Sequence, residues 1–221
     1  MDYIPGSGEK IFQGEGVFPF SADTLALSAF ARPRGRVVDL GAGTGLLSIR
    51  AAQVPRVEVV AVEGNPRAQA LIEKSVAVNG MENITVVTAD IFQEDFVPRY
   101  RDHFDTVITN PPYYQGSLQG ANARAKHENG PWFSVASRIL KSRGHLYAIL
   151  PPRHLQWAMA LFAREHLSIL ELQPVYKRPG EEAFRILIHA RKNVGENLKM
   201  LPARYLDSGE EGLCKGREKG E

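Results

Sequence analysis

The sequence predicts a single α/β domain built on a doubly wound, mostly parallel sheet with helices on both faces. Two observations predict it. Short β-rich runs alternate with helical stretches along the chain, and several of the runs are continuously apolar, as in strands covered on both faces. The 221 residues, 43% of them hydrophobic, are enough for one domain with a sizeable core. Ligands of such sheets bind beyond the carboxyl ends of the strands, so we expect chemistry at the strand-to-helix junctions.

The individual elements follow from local patterns. Apolar, β-branched runs predict strands at 36–40, 57–63, 84–88, 104–109, 145–150 and 184–190. Helical stretches are predicted at 22–30, 45–53, 66–79, 131–141 and 154–165. The helix from residue 66 is the clearest, because Asn65 suits its N-cap, Pro66 its first position and Gly80 its end.

We expect one domain over residues 1–192, in which 1–15 form a loose lead-in. Residues 193–221 are a C-terminal extension. Its last part, 207–221, has 8 charged residues and 4 glycines with almost nothing to bury, which predicts disorder.

Composition excludes several classes of protein. No run approaches the roughly 18 apolar residues of a membrane span, and the N-terminus lacks the pattern of a secretory signal. The single cysteine, Cys214, excludes an intrachain disulfide and is compatible with a reducing, cytoplasmic compartment. No Cys/His spacing suggests a metal site. We therefore expect no membrane and no metal, and a monomer by default.

Charge is distributed unevenly along the chain. Residues 121–192 carry 12 Lys and Arg against 5 Asp and Glu, whereas residues 1–120 carry 10 against 14. The basic segment is either a phosphate-facing surface or scattered solvated side chains.

The first strand runs into the sequence "GAGTG", whose glycines are Gly41, Gly43 and Gly45. Glycines at a strand-to-helix turn let a ligand approach the backbone closely. The spacing is neither the G-x-G-x-x-G of dinucleotide binders nor a P-loop. Asp39, just before the first glycine, disfavours a pyrophosphate and suits a ligand with a cationic ammonium, such as S-adenosylmethionine.

Acidic residues also end the next two strands. Glu63 is positioned to accept both hydroxyl protons of a ribose, and Asp90, followed by Ile91 and Phe92, suits an adenine ring and its amino group. A single acidic residue at a strand end is otherwise a helix cap or a surface charge. Three in successive junctions, together with the glycine turn, favour a nucleoside site.

The fourth strand ends in "VITNPPYYQG", residues 107–116. Two prolines stop any helix or central strand, so the following aromatic residues stand on a stiff turn. Taken together, "DLGAGTG", "AVEGNP", "TAD" and "NPPY" resemble the class I S-adenosylmethionine-dependent methyltransferases over residues 18–190.

This resemblance implies a seven-stranded Rossmann-like methyltransferase sheet and S-adenosylmethionine as cofactor. It implies that Asn110 and the Pro111 carbonyl accept the N–H groups of an amine substrate, and that Tyr113 stacks on it and Tyr114 is at most a rim residue. The resemblance and the junctions together give the cofactor-binding set Asp39, Gly41, Gly43, Gly45, Glu63, Asp90, Ile91 and Asn110.

Enzymes with this motif methylate adenine in DNA or RNA, guanine amines in RNA, or a glutamine in release factors. The chain resembles the bacterial family that methylates the N6 amine of an adenine next to the anticodon of a valine tRNA. "GVFPFSADTLALSAF" (16–30) resembles that family's lead-in, with Ser21 as a helix cap and Asp23 either capping or facing the cofactor. "ARAKHENG" (123–130) resembles its basic loop, although shorter. It implies that Arg124, Lys126 and His127 contact the RNA, whose target base must leave its stack.

Two alternatives stay open at this point. In the first, the methyl group is transferred to a protein glutamine or another amine. In the second, the chain is a non-catalytic module that binds the cofactor or RNA. The intact Asp39, Glu63, Asp90 and Asn110 argue against loss of activity.

Overall fold

A computed structural model describes residues 1–112, 129–195 and 197–206. Within them, nine strands form the main sheet and two short strands form a separate hairpin. The hairpin strands are β1 (Asp2–Tyr3) and β2 (Lys10–Ile11). The main sheet contains β3 (Arg36–Leu40), β4 (Glu58–Glu63), β5 (Ile84–Thr88), β6 (Phe104–Thr109), β7 (Leu140–Leu150), β8 (Leu167–Tyr176), β9 (Arg185–Lys192), β10 (Lys199–Met200) and β11 (Arg204–Tyr205).

Helices cover both faces of this sheet, each burying an apolar stripe. One core contains side chains of the first three helices, and the other core contains side chains of the last three. The helices are α1 (Ala22–Phe30), α2 (Leu46–Ala52), α3 (Pro66–Val78), α4 (Phe96–Tyr100), α5 (Asn129–Ile139) and α6 (Leu155–Arg164).

The strand order is β5-β4-β3-β6-β7-β9-β8, and β10 and β11 both pair with β8. Strands β3 to β7 pair in parallel with one another, whereas β9 is antiparallel to both β7 and β8. The predicted doubly wound, mostly parallel sheet of seven strands is confirmed, with two short strands added at one edge. The strand order reverses between β3 and β6, which makes their carboxyl ends the expected ligand crevice.

Local sequence explains the element that was predicted most clearly. The Asn65 side chain accepts a hydrogen bond from the Arg67 N–H at 3.0 Å, Pro66 opens α3, and Gly80 follows the helix with a φ of 61°. This places the N-terminus of α3 directly after β4, beside the expected crevice.

The structure differs from the sequence prediction at several elements. The short helix α4 and the strand β8 were not predicted, because Pro98 interrupts the first pattern, and Glu171 and Pro174 interrupt the second. Helix α5 ends at residue 139 instead of 141. Here β7 begins early, with Leu140 opposite Phe104, and a bulge precedes the regular pairing.

The lead-in is packed on the domain rather than loose. Ile4 and Ile11 are fully buried in the core that contains α1 to α3. The Lys10 N–H donates to Asn79 Oδ1 at 2.9 Å, which ties the hairpin to the end of α3. In the extension, β10 and β11 lie beside β8, and the predicted disordered tail 207–221 lies outside the described residues. None of the helices described is both long and apolar enough to cross a membrane.

Candidate active site

A cavity of about 710 Å³ opens at the carboxyl ends of β3, β4, β5 and β6, as the topology predicts. Its walls come from the segment before α1 and the first turn of α1, the glycine turn and the start of α2, the three following strand ends, and one side chain of α5. Of the predicted site residues, the cavity brings together Gly41, Gly43, Glu63, Asp90, Ile91, Asn110 and Pro111. Asp39 and Gly45 do not line it. Tyr113, Tyr114, Arg124, Lys126 and His127 lie outside the described residues.

The glycine turn is held by backbone hydrogen bonds to the neighbouring strand. The N–H groups of Gly41 and Ala42 both donate to the Val62 carbonyl at 2.9 Å. Gly41, Gly43 and Gly45 all have a left-handed φ, between 57° and 84°. Gly45 has a packing role, because a Cβ there would lie 3.0 Å from Ile72 of α3.

Glu63 fixes the far side of this turn. Its Oε2 accepts from the Gly43 N–H and its Oε1 accepts from the Asn65 N–H, both at 2.8 Å. A carboxylate has about four acceptor positions, so both oxygens can still accept a hydroxyl proton. The half-buried carboxylate is therefore pre-oriented to bind a diol at the cavity wall.

Asp39 is fully buried behind the glycine turn. Ser48 Oγ donates to its Oδ2 at 2.6 Å, whereas Oδ1 has no hydrogen-bond partner among the described residues. Burial raises the pKa of Asp39 to about 7, although the hydrogen bonds from Ser48 oppose the shift. A positively charged group of a ligand would stabilise the ionised form of Asp39. From its position behind the glycine turn, this carboxyl group is therefore suited to interact electrostatically with a cationic ligand.

The turn after β5 combines a carboxylate with apolar side chains. Asp90 is exposed and its Oδ1 accepts from the Phe92 N–H at 2.9 Å, while Ile91 is buried. Phe92 is half exposed and meets the Trp132 ring edge-on, with 5.9 Å between the ring centroids. This is the combination expected to hold a flat, amino-bearing ring.

Asn110 directly follows β6 at the cavity wall, and the two prolines come after it. Its Nδ2 lies 3.4 Å from Thr24 Oγ1 on α1. With the amino group of the amide turned toward Thr24, the side-chain oxygen Oδ1 remains available as an acceptor. The prolines fix φ at both following positions, which limits movement of the turn.

Trp132 is a wall residue that sequence reasoning missed. It lies in the first turn of α5, and its indole N–H donates to Thr109 Oγ1 at 2.8 Å; Thr109 Oγ1 in turn donates to the Leu40 carbonyl at 2.8 Å. The ring therefore lies against the glycine turn. The sequence feature that could have indicated it is a tryptophan, an aromatic residue with a hydrogen-bond donor, directly after Pro131. This position is near the start of the helix that follows the N-P-P-Y motif.

The two expectations for residues 16–30, which concern Ser21 and Asp23, have different outcomes. Ser21 occupies the N-cap position of α1, but its side chain makes no capping hydrogen bond and lies 3.4 Å from Thr24 Oγ1. Asp23 lines the cavity and forms an ion pair with Arg185 of β9, with Arg185 Nε 2.6 Å from Asp23 Oδ2. Both side chains are largely buried, so this pair anchors α1 to the sheet beside the site.

The geometry fits an adenosine-type ligand with a cationic tail. The glycine turn allows close backbone approach, Glu63 suits a ribose, and Asp90 with Ile91 suits an adenine. No group of three His, Cys, Asp or Glu side chains able to hold a metal occurs in the described part of the chain.

Comparison with known proteins agrees with this geometry. Residues 15–167 match the family model of the methyltransferase small domain. A Shewanella baltica protein named tRNA1(Val) (adenine(37)-N6)-methyltransferase is 30% identical over 177 residues, which cover 75% of this chain and 74% of that protein.

Solved structures show the same fold. A predicted O-methyltransferase from Agrobacterium tumefaciens superposes with a TM-score of 0.68 at 26% identity, covering 85% of this chain and 89% of that one. The TYW2 protein of M. jannaschii, solved in complex with AdoMet, gives a TM-score of 0.56 at 17% identity, covering 83% and 85% of the two chains. The chain belongs to the methyltransferase small domain family and is a methyltransferase whose cofactor is S-adenosylmethionine.

Proposed function

We propose that the protein methylates the exocyclic N6 amine of an adenine in RNA, with tRNA as the substrate. The observation that carries the proposal is the position of Asn110. A neutral amide at the end of β6 presents an acceptor to the cofactor cavity, and two prolines hold the turn that follows it. The names of the relatives, which are similar over three quarters of both chains, support adenine in tRNA as the acceptor.

We assign the cofactor to the cavity at the carboxyl ends of β3 to β6. Glu63 would bind the ribose, Asp90 and Ile91 the adenine, and the backbone of Gly41 and Gly43 the amino acid part. Asp39 would act from behind the turn as a counter-charge to the ammonium. When bound, S-adenosylmethionine supplies an electrophilic methyl group.

The chain itself would activate the amine by orientation. An exocyclic amine on adenine is a poor nucleophile because its lone pair is delocalised into the ring. Asn110 Oδ1 and the Pro111 carbonyl would each accept one N–H, which favours a pyramidal nitrogen whose lone pair is localised and directed toward the methyl donor. This is catalysis by positioning and pre-organised hydrogen bonding, and it requires no strong general base.

The remaining substrate contacts are predictions from the sequence. Tyr113 would stack on the flipped adenine, and Arg124, Lys126 and His127 would contact RNA phosphates. Among the described residues, Trp132 of α5 adds an aromatic side chain to the wall of the cofactor cavity.

The proposal is tested by incubating the protein with labelled S-adenosylmethionine and either bulk tRNA or a release factor. We expect label in tRNA and none in the release factor. Label in the release factor alone would instead assign the protein-glutamine alternative. Heat-inactivated protein is the control for transfer without enzyme.

A further inference from the structure

A second cavity, of about 970 Å³, lies beside the active site and shares Ile91 and Phe92 with the cofactor cavity. We call it the arginine cleft. Its walls are one face of α5 and one face of α6, together with α4 and the turn after β5. The α5 residues in the wall are Pro131, Ser134, Val135 and Arg138, and those of α6 are Trp157, Ala160, Leu161 and Arg164.

Both sets repeat at i, i+3, i+4 and i+7, which is one stripe of an α-helix. The cleft therefore runs along the two helices, starting at their N-terminal ends near the active site. The distance from Pro131 to Arg138 along α5 is about 10 Å at 1.5 Å per residue.

The two ends of the arginine cleft differ in chemistry. The end near the active site carries two aromatic side chains, Phe92, which is half exposed, and Trp157, which is half-buried. The other end carries three exposed arginines, Arg101, Arg138 and Arg164. The aromatic end thus adjoins the cofactor cavity, and the cationic end lies at the C-terminal ends of α5 and α6, toward the amino ends of the strands.

The charge at the cationic end is only partly balanced. Glu94 lines the cleft, and Arg164 lies 3.4 Å from Glu165 in an exposed contact of low strength. Among the residues that the structure describes, no carboxylate lies within ion-pair distance of Arg101 or Arg138. Cations in a last helical turn do stabilise their own helix. That effect explains Arg138 and Arg164 separately, but it explains neither Arg101, which follows α4, nor why the three side chains line one cavity.

We propose that the arginine cleft binds the RNA strand that flanks the nucleotide to be methylated. The phosphates lie on Arg101, Arg138 and Arg164, and a neighbouring base lies against Phe92 and Trp157. Single-stranded RNA is held by this combination of guanidinium groups for phosphates and aromatic faces for bases. The inference rests on the proposed function, because it takes RNA as the substrate.

The test compares the triple variant Arg101→Gln, Arg138→Gln, Arg164→Gln with the single variant Arg56→Gln. Arg56 is an exposed arginine between α2 and β4, outside the arginine cleft, and serves as the control. Binding of an anticodon stem-loop RNA is measured by fluorescence anisotropy at several salt concentrations, with cofactor binding measured in parallel.

We expect the triple variant to bind the RNA 10- to 100-fold more weakly at low salt. The slope of log affinity against log salt should fall by about 2 to 3, because each lost phosphate contact removes about 0.7 to 0.9. A triple Arg→Lys variant should keep most of the slope, and the cofactor affinity should stay within about twofold. The inference is overturned if the triple Gln variant binds RNA with the same affinity and salt slope as Arg56→Gln.

Failure of this inference and failure of the proposed function give different results. If the wild type methylates tRNA while the triple Gln variant binds RNA normally, only the cleft assignment is wrong. If the wild type transfers no methyl group to RNA yet the three arginines control RNA binding, the cleft assignment stands and the proposed reaction is wrong. Weakened binding to a release factor, with RNA binding unchanged, would make the cleft a protein-binding site and overturn the inference.

Discussion

The indole ring of Trp132 lies directly over Gly41, so that a Cβ at position 41 would come within 2.7 Å of Trp132 Cζ2. The first glycine of the turn is thus required by a side chain of α5 as well as by its φ of 77°. Because Trp132 is itself held by Thr109 at the end of β6, three segments of the cavity wall depend on one another.

Gly41→Ala should therefore lower cofactor affinity at least tenfold. The new methyl group must displace Trp132, and alanine must also adopt the left-handed φ of this position. Gly43→Ala is the matched control for stability without the cofactor, because it has a φ of 57° but no protein atom among the described residues within 4 Å of the added Cβ. Without the cofactor, that variant should bear only the backbone strain, of about 1 to 2 kcal/mol, and Gly41→Ala should lose more. Calorimetric titration with S-adenosylmethionine checks the affinity of Gly41→Ala, and thermal unfolding without the cofactor compares the two variants. Equal losses of stability would contradict the role of Trp132.

Glu63→Gln should weaken cofactor binding roughly tenfold or more. An amide has only one acceptor oxygen, so the N–H of Gly43 or of Asn65 loses its partner, and hydrogen bonds to charged groups contribute about 1.5 to 3 kcal/mol. The control is Glu58→Gln, at the other end of β4, where the side chain is exposed and should leave the dissociation constant unchanged. A Glu63→Gln variant with wild-type affinity would show that this carboxylate does not contact the ribose.

Asp39 should make cofactor affinity depend on pH. Burial raises its pKa to about 7, so the carboxyl group is protonated below that pH and ionised above it. A cationic ligand favours the ionised form, so affinity should be highest above pH 7 and fall toward tenfold per pH unit below it. Titrations between pH 5.5 and 8 should show this slope for the wild type and not for Asp39→Asn. Identical pH profiles would remove Asp39 from cofactor binding.

Asn110→Ala should abolish methyl transfer while leaving cofactor binding nearly intact. Removal of one pre-organised hydrogen-bonding group typically lowers kcat by about 10² to 10³. Thr24→Val, which removes the hydroxyl next to Asn110 Nδ2, should cause a smaller loss because only the orientation of the amide is affected. If Asn110→Ala loses cofactor affinity instead, the residue holds the cofactor and does not activate the amine.

The strand junctions were predictable from sequence because the carboxyl ends of parallel strands must meet at one edge of the sheet. The sites of Glu63, Asp90 and Asn110 follow from that rule and from the ends of their strands. The burial of Asp39 did not follow, because it depends on α2 closing over the carboxylate through Ser48.

Contacts between segments that are distant in the sequence could not be predicted from local sequence patterns. Asp23 and Arg185 are 162 residues apart, and only the antiparallel return of β9 brings Arg185 beside the start of α1. Trp132 reaches the glycine turn because α5 runs back from the carboxyl edge of the sheet, which local sequence patterns do not specify. The arginine cleft likewise needs the packing of three helices that are separate in sequence.

Methylation of an adenine amine in tRNA can be tested by identifying the product nucleoside. Unmodified tRNA(Val) is incubated with the protein and S-adenosylmethionine, digested to nucleosides and analysed by mass spectrometry against standards. We expect N6-methyladenosine with the wild type and none with Asn110→Ala. A methyl group found on a ribose oxygen, on a ring nitrogen or on guanosine would contradict this expectation.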